Sequence, residues 1–126
     1  PIYSVDVAYL LNPTTGYIKI NKFSATTADE FREAFLKLKQ QSALEALVLD
    51  LRGNPGGYLD AAIRLADEFL PAGKLITYTQ GRTQPRRDFK ATGSGLFESG
   101  KLTILIDEGS ASASEIVSGA IQDHDR

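Results

Sequence analysis

The chain contains no cysteine, methionine or tryptophan, and a single histidine, His124. Without thiols there are no disulfides and no thiolate metal sites, and the sequence suits a reducing or an oxidising compartment equally. One histidine and no calcium-loop pattern leave no ligand set for a catalytic metal, so neither a metal nor a cofactor is expected. An excess of one charge is also missing: 14 basic and 16 acidic residues give a net charge of −2, with no long run of either sign. That balance argues against a nucleic-acid surface or a polybasic membrane patch. No apolar run approaches the ~20 residues that a membrane-spanning helix needs, and no internal repeat is evident. No signal peptide opens the chain, and Pro1 is not a natural start, so the sequence reads as a piece cut from something longer.

What is present is enough for one domain: 126 residues, 42% of them hydrophobic. Val5–Leu11 reads as an entry strand ended by the turn Asn12-Pro13-Thr14-Thr15-Gly16, and Tyr17-Ile18-Lys19-Ile20 as a second strand. Phe31, Ala34, Phe35 and Leu38 recur at helical spacing, which predicts a helix over Ala28–Gln40, with Thr27 and Glu30 forming a capping box at its start. Its charges, Arg32, Glu33, Lys37 and Lys39, read as a solvated face. The unbroken run Ala46–Leu51 predicts a strand buried on both sides. A dense turn, Arg52-Gly53-Asn54-Pro55-Gly56-Gly57, follows. A second amphipathic helix then carries Leu59, Ala62, Ile63, Ala66, Phe69 and Leu70, with Asp60, Asp67 and Glu68 on its surface, and Pro71-Ala72-Gly73 ends it. Lys74–Thr79 and Arg86–Ala91 read as a hairpin, Thr92–Gly100 as an exposed loop, and Leu102–Ile106 as the last buried strand. Strands alternating with helices define an α/β domain with a mixed sheet and crossover helices.

The stretch Gly109-Ser110-Ala111-Ser112-Ala113-Ser114-Glu115 joins that last strand to a helix bearing Ile116, Val117, Ala120 and Ile121. Ser112 and Glu115 fit a capping box, which sets Ser112 at the helix N-terminus among N–H groups without intrahelical partners. A serine there is most often only a cap. In α/β sheets, however, ligands gather where strands hand over to helices at their carboxyl ends, and this chain has two such turns. If their strands are neighbours, the turns face one another. Acyl transfer then has its parts: Ser112 as nucleophile, the Ala113 N–H as one oxyanion donor, and an N–H of Gly56 or Gly57 as the other.

Val48–Gly57, Glu108–Ile116 and Gln122-Asp123-His124, together with Gly16–Ile20 and Phe23, resemble the C-terminal processing (tail-specific) serine peptidases in order and spacing over nearly the whole chain. The resemblance implies the core fold of those peptidases, related to that of crotonase and Clp protease. It implies Ser112 as nucleophile, with Ala113 and Gly57 as oxyanion donors and Gly56 as the alternative to Gly57. The general base it implies is a lysine some two dozen residues beyond the serine, followed by an orienting glutamine. On this reading residues 1–126 are a partial core, lacking the preceding PDZ domain and the downstream lysine, with Pro1–Leu11 as the connection after the former. The expected partner is a polypeptide bound as an extended strand, and the expected location is a bacterial periplasm or cell envelope. Two positions depart from the family pattern, Gly53 and Asp125.

No residue inside the chain replaces that base. His124 lies twelve residues along the same helix from Ser112, about 18 Å at ~1.5 Å per residue, whereas a base must come within ~3 Å. No lysine follows a serine by three positions, and only Lys74 or Lys101 stands as a substitute brought near by folding. The fragment is therefore expected to fold without cleaving peptides. Gly95–Lys101 has P-loop spacing, but Leu102 replaces the hydroxyl residue and a strand follows, which excludes nucleotide binding. Two rivals stand beside the peptidase reading. One is a noncatalytic ligand- or peptide-binding module, as in the retinoid-binding repeats of eye proteins; the other is a crotonase-like acyl enzyme.

Overall fold

Val5–Asn12 (β1) and Thr15–Ile20 (β2) form an antiparallel hairpin in a computed structural model that describes residues 3–126. Pro1 and Ile2, at the start of the expected connection, lie outside the described residues. Asn12 closes the hairpin turn, its side-chain oxygen accepting the Thr14 N–H at 2.9 Å. Thr27–Gln41 (α1) then crosses over to Ala46–Asp50 (β3), which runs parallel to β2. Leu59–Asp67 (α2) follows, then a separate antiparallel pair, Leu75–Thr79 (β4) with Arg87–Lys90 (β5). Lys101–Leu105 (β6) returns to the first sheet parallel to β3, and Ala113–Asp123 (α3) ends the chain. The main sheet has the order β1-β2-β3-β6. This is the α/β arrangement with a mixed sheet that the alternation of elements predicts.

The core lies between one face of that sheet and the helices. Alternation along the strands buries Ile18, Ile20, Leu47 and Leu49 completely, and α1 answers with Ala28, Phe31, Phe35 and Leu38 at helical spacing. Small residues on α2, Ala61, Ala62 and Ala66, let it pack closely against Ala113, Val117 and Ala120 of α3. Four aromatics knit the elements together: the Phe31 ring lies 5.8 Å from Phe35 and 5.4 Å from Phe69, and Phe35 lies 5.5 Å from Phe97. The other face of the sheet is more open, with Tyr17 and Val48 half-buried and Tyr9 exposed.

Several expectations are corrected. Thr27 and Glu30 make no capping box: Thr26 precedes the helix, Thr27 is fully buried and accepts the Ser24 N–H at 2.7 Å, and Glu30 instead accepts the Ser4 and Val5 N–H groups at 2.8 and 3.0 Å. Glu68 is not helix surface but 3% exposed. Arg32, expected on a solvated face, sets Nη1 2.6 Å from both Glu68 carboxylate oxygens, and the Leu96 N–H adds a third contact at 3.1 Å. Asp67 likewise accepts the Thr92 N–H and hydroxyl. The segment Thr92–Gly100 is therefore no simple exposed loop, because Phe97 is buried within it and its N–H bonds the Glu68 carbonyl.

Candidate active site

Because β3 and β6 are parallel neighbours, paired up to Asp50 and Leu105, both small-residue turns emerge side by side at the carboxyl end of the sheet. Several hydrogen bonds join them. The Ala111 N–H donates to the Asn54 carbonyl at 3.0 Å, the Ser114 hydroxyl donates to the same oxygen at 3.2 Å, and the Ser110 hydroxyl donates to the Leu51 carbonyl at 2.7 Å. Asp107 bridges the turns through one carboxylate oxygen, which accepts the Gly53 and Gly109 N–H groups, each at 2.9 Å. The Gly53 N–H bond, helped by that of Gly109, favours the ionised form and holds the Asp107 carboxyl below its ordinary range despite some desolvation.

The first turn is braced from within. Asn54 is fully buried; its amide nitrogen donates to the Ile20 carbonyl at 2.9 Å and its amide oxygen accepts the Gly56 N–H at 2.8 Å. Gly56 sits at φ 102° and Gly57 at φ 144°, conformations that L side chains rarely adopt. A Cβ on Gly56 would lie 2.6 Å from the Ser112 Cβ and 2.9 Å from the Ala113 nitrogen, so the two turns touch at this glycine. A Cβ on Gly57 would run into the Phe23 carbonyl, because Phe23 and Gly57 pair as an isolated parallel bridge.

Asp50 anchors the entry to the turn. It is 1% exposed, accepts the Arg52 N–H at 3.0 Å and two Arg52 guanidinium bonds at 3.0 and 2.9 Å, and also accepts the Tyr17 hydroxyl. Burial by itself would raise the Asp50 pKa; the Arg52 and Tyr17 bonds outweigh it and hold the carboxyl well below the usual range. Burial and the same bond to Asp50 push the Tyr17 hydroxyl up.

Ser112 stands at the mouth of α3, exposed, with φ 54° and ψ −111°. Ser112 and Asp125 are the two non-glycine residues at positive φ among the described residues. Such strain at a strand-to-helix corner projects a side chain outward. The expected capping box is present in outline. Glu115 Oε1 accepts the Ser112 N–H at 2.8 Å and the Ser112 side chain faces the Glu115 N–H, which also bonds the Ser112 carbonyl at 3.0 Å. Among the described residues, neither the Ala113 N–H nor the Gly57 N–H has an acceptor.

Ser112, Ala113, Gly56 and Gly57 are thus brought together, and the candidate bases His124, Lys74 and Lys101 are not. His124 caps the far end of α3, its Nε2 2.6 Å from the Leu75 carbonyl. Lys101 begins β6 while the site lies beyond its end, about 13 Å away for four rises of ~3.3 Å. Lys74 precedes β4 beside that same far end of α3, and Lys19 donates to the Arg52 carbonyl at 3.0 Å. Asn54 and Asp107, the two braces, are not singled out by sequence reasoning. The available signal is local: Asn54 two residues before Gly56, and Asp107 two before Gly109, each placing a short polar side chain where it can accept its own turn's N–H.

A strand-to-helix serine corner thus stands against a double-glycine corner on neighbouring parallel strands. The sequence pattern of Peptidase family S41 matches residues 14–126, and the chain belongs to that family. It is similar to a carboxyl-terminal-processing protease of Synechocystis, with 40% identity over 113 residues, covering 90% of this chain and 26% of that protein. A probable CtpA-like serine protease of Staphylococcus aureus is 37% identical over 130 residues, covering 99% of this chain and 25% of that protein. Among solved structures, a photosystem II D1 C-terminal processing protease superposes with a TM-score of 0.79 at 30% identity, covering 88% of this chain and 28% of the other. The chain spans about a quarter of the length of the relatives it matches.

Proposed function

We propose that this chain is the nucleophile-bearing part of the core of a C-terminal processing serine endopeptidase. The Ser112 hydroxyl would attack a peptide carbonyl, and the Ala113 and Gly57 N–H groups would hold the resulting oxyanion. Gly57 is preferred over Gly56 because the Gly56 N–H is already taken by Asn54. Loss of one such donor typically costs ~10²–10³ in rate. The observation that carries the reading is the exposed, strained Ser112 packed against Gly56, with the Ala113 N–H and the N–H of the next glycine, Gly57, both unengaged.

The proton acceptor in this proposal is a lysine in the whole protein beyond residue 126, where burial would bring an ammonium of ordinary pKa ~10.4 into a range where it can lose its proton. The substrate is a polypeptide held as an extended strand alongside the sheet, its backbone hydrogen bonds supplying affinity. A periplasmic or envelope location and a preceding PDZ domain belong to the same reading.

The test is labelling by a fluorophosphonate probe. Residues 1–126 are expected to label weakly and to cleave no peptide. Fusion to the part of the Synechocystis relative that follows the matched residues is expected to restore both, and Ser112→Ala to abolish both. Robust Ser112-dependent hydrolysis by the chain alone would show the base to be wrongly assigned; a fusion that folds but never labels at Ser112 would end the peptidase reading.

A further inference from the structure

The β4–β5 ribbon gathers charges that the sequence spreads out. Residues 74–90 hold Lys74, Arg82, Arg86, Arg87 and Lys90 against Asp88 alone, a net charge of +4, which leaves −6 on the remainder of a chain whose total is −2. Apart from the adjacent pair Arg86-Arg87, these cations are spread along the segment and form no long run. Strand pairing collects them: Lys90 lies opposite Leu75, next to Lys74, and Arg87 lies opposite Thr79. All five are exposed.

Arg86 is already satisfied, with Nε 2.7 Å from Asp88 Oδ1 and its guanidinium 4.0 Å above the Tyr78 ring. Lys74, Arg82, Arg87 and Lys90 have no acidic partner among the described residues. The Arg87 guanidinium is held 4.9 Å over the Phe89 ring, which pre-orders it for a planar carboxylate. The ribbon is a sheet of only two strands, so the outer edge of β5 keeps unpaired backbone groups. A depression of about 640 Å³ opens beside its tip, lined in part by Gln80, Gln84, Pro85 and Arg87.

We infer that the β4–β5 ribbon is a docking surface for an extended acidic polypeptide, whose backbone adds to the β5 edge and whose carboxylates meet Arg82, Arg87 and Lys90. Free strand edges recognise extended chains through main-chain hydrogen bonds, and guanidinium groups match carboxylates bidentately. An anionic membrane fits less well. The tip, residues 80–85, offers no apolar side chain except Pro85 for insertion, and a lipid surface would draw in the −6 body beside the ribbon. This inference does not depend on Ser112 or on any cleavage.

The test uses the 126-residue chain and a fluorescein-labelled decapeptide in which Glu-Glu and Thr-Thr pairs alternate, so that carboxylates face both sides of an added strand. Anisotropy is compared with the Gln-for-Glu version, with a version N-methylated at alternate amides, and with vesicles containing 30% phosphatidylserine. The acidic peptide is expected to bind, to weaken as salt rises from about 50 to 300 mM, and to lose at least tenfold in affinity in the Gln version and in the N-methylated version. The triple variant Arg82→Gln, Arg87→Gln, Lys90→Gln, checked for an unchanged melting temperature, is expected to lose at least tenfold as well. Equal binding of the Gln peptide, which needs no variant, overturns the proposal, as does wild-type affinity in the triple variant. Equal binding of the N-methylated peptide overturns the strand-addition geometry, and vesicle binding without peptide binding assigns the ribbon to lipid instead.

Discussion

The carbonyl oxygen of Asn54 accepts the N–H of Ala111 at 3.0 Å, tying the middle of the glycine turn to the residue before Ser112. The Asn54 side chain does separate work: it spans from the Ile20 carbonyl to the Gly56 N–H inside a fully buried site. Asn54→Ala leaves both of those groups without partners, each at about 1–3 kcal/mol. We predict a loss of about 3 kcal/mol, roughly 10 °C in melting temperature for a domain of this size. A change below about 1 kcal/mol by urea denaturation would show that the brace carries little of the turn.

Three glycines in one turn should respond differently to the same methyl group. Gly53, at φ 71° with nothing within 4 Å of where a Cβ would stand, meets only backbone strain, so Gly53→Ala should cost about 1 kcal/mol. Gly56→Ala adds the collision with Ser112 and Gly57→Ala the collision with Phe23. Both are predicted to cost about 3 kcal/mol or more, within the upper range of single substitutions. Equal melting curves for all three variants would contradict the packing of the two corners.

Acid should loosen the bridge between the turns. The Gly53 and Gly109 bonds depress the Asp107 pKa in the folded state, so its contribution is fully present above the unfolded value of ~3.9 and is lost as pH falls through the lower folded value. Asp50 has the same sign. Asp107→Asn keeps an acceptor oxygen but no titration, so its melting temperature is predicted to lie below wild type at pH 7 and to fall less steeply between pH 5 and pH 3. Parallel slopes for the two proteins would remove Asp107 from the account.

Glu115 holds the N–H of the strained Ser112. Glu115→Ala should cost about 1 kcal/mol, as the loss of a helix cap does, and should speed amide exchange at Ser112 and Ala113 more than at Val117. Uniform exchange along α3 would mean that the first turn does not rely on this carboxylate.

Much of this arrangement is readable before folding is considered, where the signal is local. Periodicity marks Ala46–Leu51 and Phe31–Leu38, and the glycine density at residues 53–57 and the small residues at 109–114 mark the two corners. Whether the strands before those corners are neighbours stays open in the sequence, because β4 and β5 intervene and only their departure into a separate sheet leaves the edge of β3 to β6. What was not legible depends on partners far along the chain. Arg32 and Glu68 are separated by 36 positions, and each alone resembles surface charge on an amphipathic helix. Phe97 gives no period within its glycine-rich segment, yet it completes the aromatic core. Thr27 and Glu30 have capping-box spacing, but Ser24 claims the hydroxyl and β1 claims the carboxylate. Local rules fail where a tertiary partner competes for the same atom.

The adjacency of β3 and β6 bears on how the protein is made. Ser110 reaches Leu51 across 59 positions, so the amide corner emerges from the ribosome long before the hydroxyl that it will face. Until β6 pairs with it, β3 keeps an open backbone edge and the Ser112 corner has no glycine corner to rest on. Contacts this distant in sequence form late and slowly, so the two corners meet only in the last steps of folding.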